Sequence, residues 1–356
     1  MNLFVADPEW GWWIILYFYL GGIAAGAYFI STLIELFGSE ADRELSRVGY
    51  RIAFPLIVLC GLFLVVDLHR PERFWHMLFK SEVVDEALRE GWPWSGKSWS
   101  LMWHAPILKY WSPMSVGSWA LSVFGLCSFV SFLGTLWPSG RLARVLHGGV
   151  IGRTFAIIGS LMGFFIAAYT GALVSATNQP IWSDSVWIAP LFLTSAASTG
   201  IATMILLLLW RGTASADTVD RLERADLWAL GLELAVFVLF LASLGGYLFA
   251  FVTTPGGMIF AVGTLLVGLL APLAIHLRLG MPTRRAELAA AVLALVGGFL
   301  LRYGLLTAPG QILHEGPAIV AGFGPEDGRP RGGGSGADAS NTAGSIAPRS
   351  KVFGKE

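Results

Sequence analysis

WWIILYFYLGGIAAGAYFISTLIELF, residues 12–37, decides the fold: its only charged side chain is Glu35, close to its end. A helix over such a run, rising 1.5 Å per residue, crosses a hydrocarbon core ~30 Å thick. Seven more runs of the same character cover about 48–67, 114–137, 153–174, 186–210, 226–251, 257–279 and 287–307. The second is the least regular, because Pro55 interrupts it. Across all 356 residues only 13% are charged and 55% are hydrophobic, with a mean hydropathy of +0.64. One soluble core cannot absorb that much apolar surface, so the expected class is an all-α integral membrane protein of about eight transmembrane helices. A formal net charge of +0 gives no reason to expect a nucleic-acid partner; the surrounding partner is membrane lipid.

The chain starts with acids, Asp7 and Glu9, and shows neither a basic segment nor a small-residue cleavage site before the first run. That run reads as a retained helix, with the mature chain beginning near Met1. Arginines set the expected orientation. Arg43, Arg47 and Arg51 follow span one, Arg141 and Arg144 span three, Arg211, Arg221 and Arg224 span five, and Arg278, Arg284 and Arg285 span seven. These connections read as cytoplasmic in a bacterial inner membrane, which puts both termini and the other connections in the periplasm. Residues 1–309 form one transmembrane domain, with an outward segment over 68–113 long enough to dock on it. Residues 310–356, rich in Gly, Ser and Pro, read as a flexible tail.

Orientation gives depth. Tyr17, Tyr169 and Arg302 each fall about five residues, ~8 Å, inside the outer end of their spans, and Asp67 closes span two on the same side with His69 just beyond. Asn178 belongs to the polar turn after span four, and Trp13 to an aromatic cluster at the start of span one. A quinone head group needs a slot near the surface, a hydrogen-bond partner for each carbonyl, a proton route, and apolar walls for its tail. Tyr17, Tyr169, Asn178, Trp13 and Arg302 are therefore candidate quinone contacts, with Asp67 and His69 as proton carriers. Trp10, Trp12 and Trp13 read equally well as an interfacial aromatic belt, and Arg302 as an anchor reaching to the surface. On the inner side, Glu35, Asp226, Glu233 and His276 are the candidates for a proton half-channel or, alternatively, for paired charges at helix ends. Gly22 and Gly26, with Gly159 and Gly163, have the spacing of close helix contacts.

Cys60 and Cys127, the only cysteines, cannot hold an iron-sulfur cluster or a zinc ion. Of the histidines, His69, His76, His104, His147, His276 and His314, only His276 falls well inside a span, whereas bis-histidine haem needs two facing ligands. No haem, iron-sulfur cluster or metal is expected in this chain.

Four stretches together resemble the NrfD/PsrC-like membrane subunits of complex iron-sulfur molybdoenzymes and related quinone-linked complexes. They are Leu20–Gly26; Asp67–Trp75; Tyr169–Leu173 continuing through Thr177–Trp182; and Leu301–Tyr303. Ser112–Trp119 resembles the family as well, so the likeness runs in order from residue 12 to about 311. It implies a haem-free subunit of two four-helix bundles that exchanges electrons between membrane quinone, menaquinone or ubiquinone, and a ferredoxin-like four-cluster iron-sulfur subunit, with a molybdopterin catalytic subunit or a related respiratory complex beyond it. It implies a quinone ligand at Tyr169 and places Tyr17 where some members have histidine. His69 stands where glycine is usual, and residues 81–111 look like an added segment. Arg70, Glu72, Arg73, Trp75 and Trp182 are the expected contacts for the partner subunit. The competing readings are a proton- or ion-translocating subunit built on the inner acids, and a membrane anchor without quinone chemistry.

Overall fold

The computed structural model describes residues 10–38, 42–104, 109–136, 149–212, 216–277 and 284–320. Arg141, Arg144, His147, Arg278, the start of the chain and the tail beyond Val320 lie outside the described residues, as do the side chains of His104 and His314. Among the described residues there is no strand, and eight helices are long and apolar enough to cross a membrane. The protein is an all-α, multi-span membrane protein.

The spans are α1 (Trp12–Phe37), α2 (Arg43–Asp67), α3 (Pro113–Leu136), α4 (Val150–Ser175), α5 (Ile188–Arg211), α6 (Ala216–Ser243), α7 (Pro255–Leu277) and α8 (Arg284–Val320). Three helices differ from the sequence reading at their ends. α2 starts at Arg43, well before residue 48, since Leu45, Val48 and Tyr50 are buried while Arg43 and Glu44 face out. α6 ends at Ser243, short of residue 251. Leu244–Gly246 is a turn with Gly245 at φ 50°, and Tyr247–Thr253 is a separate short helix. α8 runs through Pro309 and Gly310, a pair that reads as a stop in sequence, so the boundary placed at 309/310 is corrected. Gln311 explains part of this continuation: its Oε1 accepts the Gly256 N–H at 2.7 Å, serving a donor of the first turn of α7 that has no helical partner. α7 itself widens into π-type turns over Ile259–Leu270 before resuming as an α-helix.

α1 packs on α2 and α4, α2 on α3, and α3 on α4; α5 packs on α6 and α8, and α7 on α8. That makes two four-helix bundles. α1 and α5, the two most enclosed spans, form the seam between them. Small residues allow the seam: a Cβ on Gly26 would overlap the Ala196 carbonyl of α5, and one on Gly200 would overlap the α1 backbone. Gly159 does the same for α4 against Tyr28 of α1, while Gly163 lies close to Phe124 of α3 and beside Ala25 of α1. The connection between α2 and α3 folds into short helices, among them Trp75–Leu78, Ser81–Arg89 and Gly96–His104. It is tied to the domain by Trp119 Nε1, which donates to the Leu78 carbonyl at 2.9 Å, and by Lys109 Nζ, which donates to the His76 carbonyl at 3.2 Å.

Candidate functional site

A cavity of about 180 Å³ opens between α1, α2, α3 and α4 at the end where α1 begins and α2 ends. Tyr17, Asp67 and Tyr169 line it together, joined by Trp10, Met77 and Gly117. Ile14, Leu64 and Leu173 supply apolar wall. The volume falls below the ~300–1,000 Å³ of pockets that enclose a whole drug-sized ligand. It suits a ring-sized head group whose long tail stays in the lipid.

The two phenols differ in what they have left to offer. Tyr169 donates its O–H to the Pro113 carbonyl. A carbonyl can only accept, and the Gly117 backbone N–H donates to the same phenol oxygen, so what the Tyr169 oxygen has left is one further lone pair. Its ring stacks on Phe165, with centroids 5.5 Å apart, and Gly117 makes room for it, because a Cβ there would run into the phenol. Tyr17 is 5% exposed, yet its hydroxyl makes no hydrogen bond among the described residues. A phenol left without a partner in an apolar layer forgoes about 1 kcal/mol, and a ligand oxygen in the cavity would restore it. Asp67, half-buried at the end of α2, contributes the one carboxylate of the lining.

His69 follows on an exposed turn, with Nδ1 2.9 Å from the Asp67 carbonyl. Its φ of 56° lies in the left-handed region, which supplies a physical reason for a glycine at this place. The imidazole does not line the cavity. Arg70, Glu72 and Arg73 are exposed beside it, and Trp75 is half-buried against His76.

Several expected members of the site are elsewhere. Asn178 is exposed on the turn after α4 and does not line the cavity. Trp13 is 43% exposed and leans on Phe63, which fits the aromatic belt. Trp182 is corrected outright as a partner contact. Its side chain is 0% exposed, its Nε1 donates to the Leu305 carbonyl at 2.8 Å, and it stacks on Trp10 at 5.0 Å. It backs the cavity wall from inside.

Arg302 also leaves the site. Rather than snorkelling it is 1% exposed, ten residues or ~15 Å from Ile312 along α8. Its Nε donates to the Phe18 carbonyl at 3.0 Å, and Nη1 donates to Ser195 Oγ at 3.0 Å and to the Gly298 carbonyl at 2.9 Å. Gly22 exists for this guanidinium, since a Cβ there would lie 2.6 Å from Nη2. On α6, within the same bundle, Glu233, 3% exposed, accepts from Ser198 Oγ and is bonded to Ser195 as well. Arg302, Ser195, Ser198 and Glu233 thus form a single buried cluster in the second bundle.

The inner acids divide between the bundles. Glu35 accepts from the Tyr50 hydroxyl at 2.6 Å, between α1 and α2. Asp226 is fully buried and pairs with His276 Nε2 at 3.0 Å, between α6 and α7. Glu223 and Glu287, hydrogen-bonded to each other, add to the field at His276. Glu35 therefore does not join Glu233 and His276 in one group. Trp10, Ile14, Met77, Gly117 and Leu173 are lining residues that depth alone did not pick out. Gly117 sits in the stretch opening span three, and its signal was smallness opposite a tyrosine.

The family described as Polysulphide reductase, NrfD matches residues 5–314. A polysulfide reductase chain of Wolinella succinogenes is 26% identical over 327 residues, 84% of the present protein and 93% of that one. Protein NrfD of Escherichia coli is 27% identical over 329 residues, 85% and 95% of the two proteins. A shorter match, 33% identical over 78 residues, covers 22% of the present protein and only 18% of a selenate reductase subunit of Mesobacillus selenatarsenatis. Since the family match covers the whole transmembrane domain from before α1 to the C-terminal part of α8, the chain belongs to the NrfD family.

Proposed function

We propose that this chain is the quinone-reactive membrane subunit of a reductase-type respiratory complex, exchanging electrons between the quinone pool and a partner iron-sulfur subunit. The observation that carries the reading is the cavity in which Tyr17, Asp67 and Tyr169 converge, with the Tyr17 hydroxyl unpartnered among the described residues and the Tyr169 oxygen keeping one lone pair beyond its Pro113 and Gly117 bonds. Support for a complex comes from the relatives, whose names make them parts of a polysulfide reductase and of a tetrathionate reductase.

In the oxidising direction, one quinol O–H donates to the Tyr169 oxygen while Tyr17 donates to the other quinol oxygen, fixing the ring between them. Loss of two electrons and two protons gives the quinone. Asp67, the carboxylate of the lining, takes the two protons in turn and passes each to the water at the exposed turn around His69. The electrons leave to the partner, docked over the exposed Arg70, Glu72 and Arg73. Quinone reduction uses the same groups in reverse. In the assembled complex, Tyr169→Phe lowers quinol-linked turnover by about tenfold, the worth of roughly one hydrogen bond, with dye-linked activity of the soluble subunits unchanged; undiminished quinol turnover rejects the reading.

A second reading adds proton transfer through the other bundle. It is favoured by the Asp226–His276 pair and the Glu233–Ser198–Ser195–Arg302 cluster, polar groups that occupy successive depths of an otherwise apolar bundle. Glu233→Gln then lowers the protons moved per electron in proteoliposomes, and an unaltered ratio removes this function from the protein.

A further inference from the structure

A second concavity, about 840 Å³, lies between α2, α5 and α8 at the end opposite the tyrosine cavity. Its floor is apolar, built from Pro55, Leu56, Leu206 and Leu207 among others, and it offers no carboxylate or phenol. Three arginines, Arg51, Arg284 and Arg285, stand over that floor, with Trp210, 79% exposed, at the rim. Two of them are held in place through one nitrogen each. Arg51 Nη2 donates to the Thr135 carbonyl at 2.8 Å and Arg284 Nη2 to the Leu209 carbonyl, which leaves their other donors open. Arg285 makes no hydrogen bond among the described residues.

None of the three has an ion-pair partner among the described residues. Among the described residues, the charged neighbours acting on Arg51 are Arg47 and Arg211, which add positive charge, and one acid, Glu44. Glu287, the acid nearest on α8, is bonded to Glu223 and directed toward His276. Uncompensated positive charge above a trough of methyl and methylene groups calls for a ligand that is anionic at one end and aliphatic at the other. A free inorganic anion would leave the apolar floor unused. A quinone would find neither a carboxylate nor a phenol to exchange its protons with.

We propose that this groove binds an anionic phospholipid, its phosphate gripped by Arg51, Arg284 and Arg285 and an acyl chain laid along Pro55, Leu56 and Leu207. Guanidinium forks match phosphate oxygens, basic pockets between transmembrane helices hold anionic head groups, and Trp210 sits where an indole spans the head-group level. A lipid here would clamp α2 of the first bundle to α5 and α8 of the second.

The test uses the full chain purified in detergent, depleted of lipid, and titrated with phosphatidylglycerol or phosphatidylcholine while bound lipid is counted by native mass spectrometry. Wild type retains one phosphatidylglycerol in preference to phosphatidylcholine. At about fivefold per arginine removed, Arg51→Gln with Arg285→Gln weakens that retention roughly thirtyfold, and Arg285→Lys largely keeps it. Because Arg285 makes no structural bond, Arg285→Gln alone tests the site without risk to the fold and costs about fivefold. Leu207→Trp, which fills the trough, also abolishes retention. Equal retention of the two lipids, unchanged phosphatidylglycerol binding in Arg285→Gln, or displacement of the lipid by inorganic phosphate overturns the proposal.

Discussion

The two bundles treat their polar groups in opposite ways. In the first, the cavity keeps capacity unspent: the Tyr17 hydroxyl has no partner among the described residues, the Tyr169 oxygen keeps a lone pair beyond its Pro113 and Gly117 bonds, and Asp67 is only half-buried. In the second, Arg302 is engaged by Phe18, Ser195 and Gly298, and Glu233 by Ser198 and Ser195. Both sets are ionisable or hydroxylic groups inside a membrane, where such groups default to functional suspicion. The contrast teaches that depth and charge do not suffice to mark a binding site. What matters is whether the group retains a donor or acceptor facing a space.

That comparison can be broken at either end. The largest effect is expected in the second bundle. Arg302→Leu strips the donor from the Phe18 and Gly298 carbonyls and from Ser195 and removes the nearby positive charge that acts on Glu233. It destabilises the protein by about 3–5 kcal/mol, at about 1.5 kcal/mol per charged hydrogen bond, whereas adding Glu233→Leu regains the part due to the buried acid. Thermal unfolding in detergent measures both, and a double variant no better than the single one would mean that Arg302 is not there to balance Glu233. Next comes Gly117→Val. Its side chain displaces the Tyr169 ring, which costs about 1–3 kcal/mol of stability and, as the phenol loses its place, weakens quinone-analogue binding by about tenfold, the worth of roughly one hydrogen bond. The smallest is His69→Gly. Relief of the left-handed backbone raises stability by up to about 1 kcal/mol and leaves quinol turnover within about twofold, since the imidazole is outside the cavity; a tenfold fall would restore His69 as a proton carrier.

Much of this architecture was legible in sequence, for physical reasons that also explain the failures. Apolar length alone finds eight crossings, but the ends of α2, α6 and α8 were misread. Charged residues at the start of α2 lie on a helix that is already packed, a Gly245 turn cuts α6 short, and Pro309–Gly310 sits inside a helix held by Gln311. Depth put Tyr17, Asp67 and Tyr169 at one level, and the three line one cavity. Arg302 and Asn178, placed on the same side, do not line it, because depth is one coordinate only. Which way round a helix faces must come from a polar stripe, and helices apolar on every side carry almost none. Arg302 could have been placed by size: a guanidinium needs an opposing glycine, and Gly22 stands across from it. Trp182 gave no such signal, since a tryptophan beside a polar turn reads alike as rim or as core.

The central claim, a quinone head group between Tyr17 and Tyr169, is tested most directly by photolabelling the assembled complex with an azido-quinone and mapping the modified peptides. The account predicts label on the cavity walls, at Ile14–Tyr17, Met114–Ser118 and Tyr169–Leu173, competed away by excess quinone and weakened in Gly117→Val. Competable label confined to the Trp210–Arg284 groove, or to the helix around Arg302, would contradict it.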